Sequence, residues 1–420
     1  MGRPRPPRMV IRMTDQTSST PTSSTGGPLA GTVVVDLSRA LAGPHATQML
    51  GDQGARVIKV ETPNGGDDTR SWGPPFVGDE HVSTYFLSTN RNKESITLDL
   101  KDEADREVLL QLVDRADVLV ENYRTGVLER LGLGIESLTA RNPRLVVLSI
   151  TGFGHDGPEG GRAGYDQIAQ GEAGLMSLTG SGPEDPQRVG VPIADMLSGM
   201  YGAYGVLAAL HERERTGVGS VVRTSLLAAV VGVHAFQGTR WTVAGQVGQA
   251  QGNHHPSIAP YGLFRCRDGA VQISVGSEGL WRKFCAGFDL DPEAEGLATN
   301  PERVGNHARV VELVETAFAD SDAEPLLARL AEVGIPAGKV RTLDEVYAWD
   351  QVHSQGLVID VEHPQLGTIT TPGPPLRFFA GDGTEVTHRD HVAPPTLDQH
   401  GASVRAWLEQ THPQSEEGRA

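Results

Sequence analysis

A single carboxylate, Asp195, lies where the sequence predicts the start of a helix with little side-chain bulk in its first turns. Pro192 favours an extended entry, and apolar residues from Met196 onward recur about every 3.6 residues. Glycine inside a helix costs about 1 kcal/mol and indicates close approach of another helix or a ligand. This helix holds Gly199, Gly202 and Gly205. Two interpretations stay open: Asp195 caps the helix, or it is a reactive carboxylate.

Composition limits the class of protein. The 420 residues suffice for roughly two or three domains, and the formal net charge of −17 repels nucleic acid and anionic membrane surfaces. No run of about 18 apolar residues predicts a transmembrane helix. Cys266 and Cys285 have no metal-ligand or disulfide spacing, which indicates a reducing cytoplasm. Residues 1–28, rich in Pro, Ser, Thr and Arg, predict a disordered tail or a misassigned start.

Short Val/Ile/Leu runs alternate with amphipathic helices in the first part of the chain. The predicted strands are 32–36, 55–60, 117–121 and 144–150, and the predicted helices are 44–52 and 103–115. This order predicts a mostly parallel α/β sheet with helices on both faces, in which ligands bind beyond the carboxyl ends of the strands. A dinucleotide-binding fold is the rival, but the first strand-to-helix turn, 36–44, lacks the G-x-G-x-x-G pattern.

A second module is predicted from about residue 258. Strands at 262–265 and 270–275 precede helices at 278–288 and 302–318. Later segments predict short strands at 358–360, 367–371 and 376–379 and a helix at 402–408. The predicted organisation is a tail (1–28), the first part of a large domain (29–225), a linker (226–257), a small domain (258–340) and a return to the large domain (341–420).

Between Leu29 and Leu408 the chain resembles the class III CoA-transferases, the group of formyl-CoA:oxalate CoA-transferase, carnitine CoA-transferase and, on the same fold, alpha-methylacyl-CoA racemase. The motifs that carry the resemblance are weak singly and specific in this order and spacing. They are DLSRALAGP (36–44), GARVIKVE (54–61), GDDTR (66–70), NRNKESI (90–96), VENY (120–123), LERLG (128–132), ITGFG (150–154), GYD (164–166), GVPIAD (190–195) and AAL (208–210).

The resemblance implies a Rossmann-like large domain, built from the N- and C-terminal parts of the chain, and a smaller middle α+β domain. It also implies an interlaced homodimer, acyl-CoA and a small carboxylic acid as substrates, and Asp195 as nucleophile. A carboxylate that attacks a thioester forms a mixed anhydride, and the released CoA thiolate then gives an aspartyl-CoA thioester. This route needs no metal. It needs N–H donors for the oxyanion, which the opening of the helix is expected to supply.

The family's CoA contacts carry over to nine positions: Ala40, Leu41, Ala42, Leu98, Lys101, Asn122, Tyr123, Arg130 and Leu131. Lys101 and Arg130 are expected to meet phosphates, against the alternative of a solvated helix face. Leu41 stands where the formyl-CoA enzyme has a glutamine, and Thr62 stands where it has an arginine near the nucleotide. These departures argue against specificity for oxalate. Further phosphate candidates are Lys59, Arg70 and Arg91.

Two alternatives to a transferase stay open. In the racemase a histidine precedes an aspartate; here the pair is Tyr165 and Asp166, and a tyrosine with a pKa of about 10 is a poor base at neutral pH. Tyr165 and Asp166 are expected either to line the site or to pack structurally. His254 is a candidate lid residue or an exposed loop residue. The other alternative is a CoA-binding protein without catalytic activity.

Overall fold

The computed structural model describes residues 26–410, so most of the predicted tail lies outside the described residues. The strands of this part of the chain are β1 (Val33–Asp36), β2 (Arg56–Glu61), β3 (Phe76–Val77), β4 (Val82–Ser83), β5 (Lys93–Thr97), β6 (Val118–Glu121), β7 (Val146–Thr151), β8 (Val221–Ser225), β9 (Tyr261–Cys266), β10 (Gly269–Ser274), β11 (Ala337–Lys339), β12 (Val358–His363) and β13 (Gly367–Pro372).

The helices of the same residues are α1 (Ala42–Asp52), α2 (Thr84–Thr89), α3 (Glu103–Arg115), α4 (Val127–Arg130), α5 (Ile135–Arg141), α6 (Asp166–Glu172), α7 (Ile193–Thr216), α8 (Leu226–Gly232), α9 (Ala235–Thr242), α10 (Glu278–Gly287), α11 (Asn300–Gly305), α12 (His307–Phe318), α13 (Ala323–Val333), α14 (Leu343–Tyr347), α15 (Asp350–Ser354) and α16 (Gly401–Glu409).

Six strands form the central sheet in the order β5-β2-β1-β6-β7-β8, and all neighbours in it are parallel. Counted along the chain this is 3-2-1-4-5-6, the order of a doubly wound fold, which reverses between β1 and β6. Alternate side chains enter opposite cores: Val34 packs with α1 and α7, whereas Val35 packs with α3 and α16. The predicted α/β fold with helices on both faces is confirmed.

A separate core surrounds a three-stranded antiparallel sheet of order β11-β10-β9. Trp281, Phe284 and Phe318 are fully buried there, between the sheet and helices α10, α12 and α13. The chain then returns to the central sheet, because Val404 and Leu408 of α16 pack in the core beside α3. The exact limits of the two domains stay a prediction.

Residues 226–257, the predicted linker, contain helices α8 and α9, and α8 buries apolar residues against the sheet. Two local predictions are wrong. The predicted helix 302–318 is interrupted at Asn306, whose φ of −106° and ψ of 34° are not helical. The predicted strand 376–379 does not form, and only Phe379 makes a bridge, to Glu385. Two prolines precede this segment, and proline cannot donate to a strand ladder.

Close packing explains the glycines of α7. A Cβ at Gly199 would lie 2.6 Å from the carbonyl oxygen of Ala42 in α1, and a Cβ at Gly202 would lie 2.8 Å from the Leu148 side chain in β7. These contacts are with protein, so the glycines give no support for a ligand. Among the described residues, α7 is also the helix that is long and apolar enough to cross a membrane. Its packing on α1 and the sheet buries one face of the helix, whereas Met200, Tyr201, Tyr204 and Leu207 on it stay exposed.

Candidate active site

A cleft of about 1090 Å³ opens at the carboxyl ends of the central strands, where the strand order reverses. Its wall includes the turn after β1, the segment after β6 and the start of α7 with Asp195. Crevices at this point of a doubly wound sheet are the usual ligand sites. The fold therefore brings Asp195 to the edge of the sheet at which the sequence pattern predicts ligands.

Asp195 is the third residue of α7, and its carboxylate does not cap the helix. The capping acceptor is Asp166, whose Oδ1 accepts the N–H of Ala194 at 2.8 Å and the N–H of Asp195 at 3.4 Å. Within residues 26–410 no group donates a hydrogen bond to the Asp195 carboxylate. Its oxygens are therefore uncommitted on the cleft wall.

Burial, and after it the charge of Asp166, raise the pKa of Asp195 to about 7. Tyr85 lines the same cleft, and burial together with the charges of Asp195 and Asp166 raises the pKa of its hydroxyl. Trp72 holds the Tyr85 ring edge-on, with 5.0 Å between the ring centroids. Near neutral pH Asp195 is thus divided between its protonated form and a weakly solvated ionised form.

The backbone N–H groups that open α7 already have acceptors. Those of Ala194 and Asp195 bond to Asp166, and those of the two flanking residues bond to backbone carbonyls at 2.8 and 3.0 Å. The expectation that this helix opening supplies free oxyanion donors is therefore wrong. A hydroxyl in the same cleft, that of Tyr85, is close enough for the charges of Asp195 and Asp166 to raise its pKa.

Buried charges hold the turn after β1. The Lys59 Nζ lies 2.8 Å from Asp67 Oδ2 and donates to the Ser38 carbonyl at 2.8 Å, and both charged side chains are fully buried. Asp67 Oδ1 accepts the N–H of Ala40 at 3.2 Å. Ala40 has a φ of 63°, a left-handed conformation that costs a non-glycine residue about 1 kcal/mol or more. The Lys59–Asp67 pair therefore stabilises a strained turn on the cleft wall.

Asn122 ties this turn to the segment after β6. Its Nδ2 donates to the Arg39 carbonyl at 2.7 Å, and its Oδ1 accepts the Arg39 N–H at 2.9 Å. The Arg39 guanidinium lies 5.5 Å from the centroid of the Tyr123 ring. Two segments on opposite sides of the strand-order reversal thus form one wall.

Most positions predicted to contact CoA line this cleft: Ala40, Ala42, Leu98, Lys101, Asn122, Tyr123, Arg130 and Leu131. Leu41 does not line it, because the left-handed turn at Ala40 directs the chain so that Leu41 is buried, with 4% of its surface exposed. Lys101 and Arg130 are exposed, and neither pairs with a carboxylate within the described part of the chain. Both cations are therefore available to an anionic ligand.

The further phosphate candidates are already paired with acids. Lys59 pairs with Asp67, and the other two guanidinium groups each donate two hydrogen bonds to one carboxylate: Arg70 to Glu61 and Arg91 to Asp52. These pairs stabilise the fold around the cleft and leave no free charge for phosphate, so this expectation is wrong.

Tyr165 and Asp166 are brought to Asp195, whereas His254 is not. Tyr165 lines the cleft with 62% of its surface exposed. His254 lies beside a second cavity of about 730 Å³, where its ring centroid is 4.6 Å from that of His307. A backbone bridge to Gly262 keeps His254 on the three-stranded sheet.

Tyr85 and Arg188 are among the cleft residues that the sequence patterns did not single out, because neither is part of a motif that indicates its chemistry. Residues 26–410 contain no group of three or more His, Cys, Asp or Glu side chains placed to hold a metal ion.

Comparison with known proteins identifies the family. Residues 29–401 match the model of CoA-transferase family III. The chain is 38% identical to the succinyl-CoA:glutarate CoA-transferase of Homo sapiens, over 90% of this chain and 85% of the relative. It is 39% identical to the succinate–glutarate CoA-transferase of Agrobacterium fabrum, over 91% and 96% respectively. Relatives at 36% identity are named for oxalate and mesaconate.

The fold is also similar to that of a solved structure. The crystal structure of a CAIB/BAIF family protein from Brucella suis has a TM-score of 0.81 and 40% identity, and covers 92% of this chain and 100% of that chain. The chain therefore belongs to CoA-transferase family III. The protein is accordingly an enzyme of CoA transfer, with coenzyme A as its substrate in the form of acyl-CoA.

Proposed function

We propose that Asp195 is the nucleophile through which CoA passes from an acyl-CoA donor to a carboxylic acid acceptor. The observation that carries the proposal is the uncommitted Asp195 carboxylate on the cleft wall, with a pKa raised to about 7. Asp166 takes the capping role, which leaves both Asp195 oxygens to the substrate.

Four displacements complete the reaction. An Asp195 oxygen attacks the thioester carbonyl carbon, the C–S bond breaks, and CoA thiolate leaves a mixed anhydride. The thiolate attacks the Asp195 carbonyl carbon, which expels the donor acid as its carboxylate and forms an aspartyl-CoA thioester. The acceptor carboxylate attacks this thioester, which expels the thiolate and forms a second anhydride. The thiolate then attacks the acceptor's carbonyl carbon, which gives the new acyl-CoA and restores the Asp195 carboxylate without net proton transfer.

The CoA moiety is proposed to lie along the wall made by the turn after β1 and the segments after β5 and β6. Small and apolar side chains of this wall, such as Ala40, Ala42 and Leu98, permit close approach. Lys101 and Arg130 are free cations there, and Arg presents a fork that matches phosphate oxygens. The acceptor is proposed to be a short dicarboxylic acid, because glutarate, oxalate and mesaconate in the relatives' names all belong to that class.

The active species is proposed to be an interlaced homodimer in the cytoplasm. The outer face of α7 supports a dimer, because it exposes large apolar side chains: Met200 (49%), Tyr201 (41%), Tyr204 (73%) and Leu207 (42%). Light scattering of the protein as it elutes from a size-exclusion column is expected to give twice the chain mass. The Tyr204→Asp variant is expected to give a lower mass. A wild-type monomer with full activity would contradict the dimer.

The test of the proposed reaction is CoA transfer from succinyl-CoA to glutarate by the wild type and Asp195→Asn. The asparagine variant keeps the shape of the side chain and loses the nucleophile, so transfer is expected to fall by at least about 10³-fold. The matched control is Asp320→Asn, the same change at an exposed residue outside the cleft, which is expected to leave transfer unchanged. Transfer by Asp195→Asn at the wild-type rate would refute the proposal.

A further inference from the structure

The cations of the cleft fall into two groups. Some pair with carboxylates of the chain: Lys59 with Asp67 at 2.8 Å, Arg39 with Asp68 at 3.4 Å and Arg162 with Glu172 at 2.5 Å. Others line the cleft without a carboxylate partner within residues 26–410: Lys101, Arg124, Arg130 and Arg188. Lys101 lies after β5, and Arg124 and Arg130 lie after β6. All three are on the wall proposed for CoA. Arg188 is instead seven positions before Asp195, on the segment that enters α7.

The backbone next to Arg188 is coupled to the backbone of Asp195 through one buried side chain. Gln170 is fully buried; its Nε2 donates to Asp166 Oδ2 at 2.7 Å, and its Oε1 accepts the N–H of Val189 at 2.9 Å. The other oxygen of Asp166 caps α7 at Ala194. A single chain of hydrogen bonds therefore fixes the position of the backbone beside Arg188 relative to the backbone of Asp195.

The Arg188 guanidinium is only partly engaged. Its Nη1 donates to the carbonyls of Val189 at 3.0 Å and Gly190 at 3.3 Å, which leaves the N–H groups on its other nitrogens free to bind a ligand. The same cleft also holds the carboxylates of Asp195 and Asp166, which repel any second negative charge on a substrate. A diacid that binds in the cleft therefore needs a cation for its second carboxylate, and Arg188 is a cleft cation without a carboxylate partner within residues 26–410.

We infer that Arg188 binds the non-reacting carboxylate of a dicarboxylic substrate and thereby selects diacids over monoacids. The inference rests on the function proposed above. A planar guanidinium can meet a carboxylate with two parallel N–H···O bonds, which fixes the direction of the substrate as well as its charge. The reacting carboxylate of the diacid then faces Asp195, and a monoacid of equal length lacks this anchor.

The test is isotope exchange of a labelled acid with its own CoA thioester: glutarate with glutaryl-CoA, and pentanoate with pentanoyl-CoA. Each exchange uses one acid and needs no second donor. In Arg188→Gln, kcat/KM for glutarate exchange is expected to fall by roughly 10- to 100-fold, while pentanoate exchange stays within about twofold. Arg188→Lys keeps the charge without the fork and is expected to lose less. The control, Arg282→Gln, removes an exposed arginine outside the cleft and is expected to change neither exchange.

Equal losses in both exchanges, in a variant with wild-type thermal stability, would overturn the role of Arg188 and leave the Asp195 proposal intact. A wild type that exchanges pentanoate as fast as glutarate would also overturn it. If Arg188→Gln does not fold, Arg188→Lys decides, and a loss that is not confined to glutarate contradicts the inference. Persistence of both exchanges in Asp195→Asn would instead contradict the proposed function.

Discussion

Replacement of Asp166 by asparagine separates its charge from its capping role. The asparagine Oδ1 still accepts the N–H of Ala194, so the start of α7 keeps its cap, while the negative charge beside Asp195 is removed. The bond from Gln170 to the other carboxylate oxygen is lost, so the variant is expected to be modestly less stable. The pKa of Asp195 falls in this variant, and more of the nucleophile is ionised below pH 7.

The magnitude follows from the pKa of Asp195, which is about 7 in the fold against an ordinary value of 3.8. With a midpoint of 7, roughly a tenth of the carboxylate is ionised at pH 6 and roughly nine tenths at pH 8, so the wild-type rate rises about tenfold over this interval. Burial is the larger cause and remains in the variant. The midpoint of Asp166→Asn is therefore expected below 7 but still above the ordinary value of 3.8, with less than a tenfold rise between pH 6 and 8.

The assay is kcat/KM for acyl-CoA from pH 5.5 to 8.5, because this parameter reports the ionisation of groups in the free enzyme. Thermal melts of each variant at every pH separate loss of fold from loss of ionised nucleophile. Asp320→Asn is the matched control, and its profile is expected to coincide with that of the wild type. A wild-type profile that is flat between pH 6 and 8, or an unchanged midpoint in Asp166→Asn, would refute this reasoning.

Three further variants test the raised pKa of Asp195, the support of the turn after β1 and the close packing of α7 on α1. Asp195→Asn is expected to be more stable than the wild type by about 1–3 kcal/mol at pH 8, and by less at pH 5, which a higher Tm would show. The reason is that the wild-type protein loses stability as the pH rises from 3.8, the ordinary pKa of the carboxyl, to about 7, its pKa in the fold. An equal Tm at pH 8 counts against the raised pKa. Asp67→Asn leaves Lys59 without its nearest counter-ion, so urea unfolding is expected to show a loss of about 3 kcal/mol, and KM for acyl-CoA is expected to rise more than kcat falls; a KM that does not move argues against support of the turn. Gly199→Ala places a Cβ 2.6 Å from the Ala42 carbonyl and is expected to cost about 1–3 kcal/mol in the same unfolding assay; wild-type stability would show that α1 and α7 pack less closely.

The central sheet was largely predictable because most of its strands are apolar runs that are buried on both faces. β5 was not predicted, because its buried residues Lys93 and Ser95 are polar. Their partners, Asp36 and Glu61, belong to other strands, and Lys93 Nζ lies 3.1 Å from Asp36 while Ser95 Oγ lies 2.7 Å from Glu61. Such a strand is recognisable only after the neighbouring strands are in place.

The candidate site was predictable where the signal is local. The residues before α7 identify a carboxylate at a helix start, and the structure puts Asp195 there. That Asp166 caps this helix depends on a contact between residues 28 positions apart, which no spacing rule contains. Tyr85 and Arg188 reach the cleft only through the fold. A glycine at position 199 indicates that another group packs closely there, but the sequence does not show whether that group is protein or ligand. In the structure it is the Ala42 carbonyl of α1.

Trapping of the covalent intermediate tests the central claim most directly. The enzyme is incubated with acyl-CoA, treated with hydroxylamine or borohydride, digested and analysed by mass spectrometry. A side-chain modification at Asp195 that requires acyl-CoA is the predicted result. An enzyme that turns over while the Asp195 peptide stays unmodified, or that carries the modification on another residue, would contradict the account.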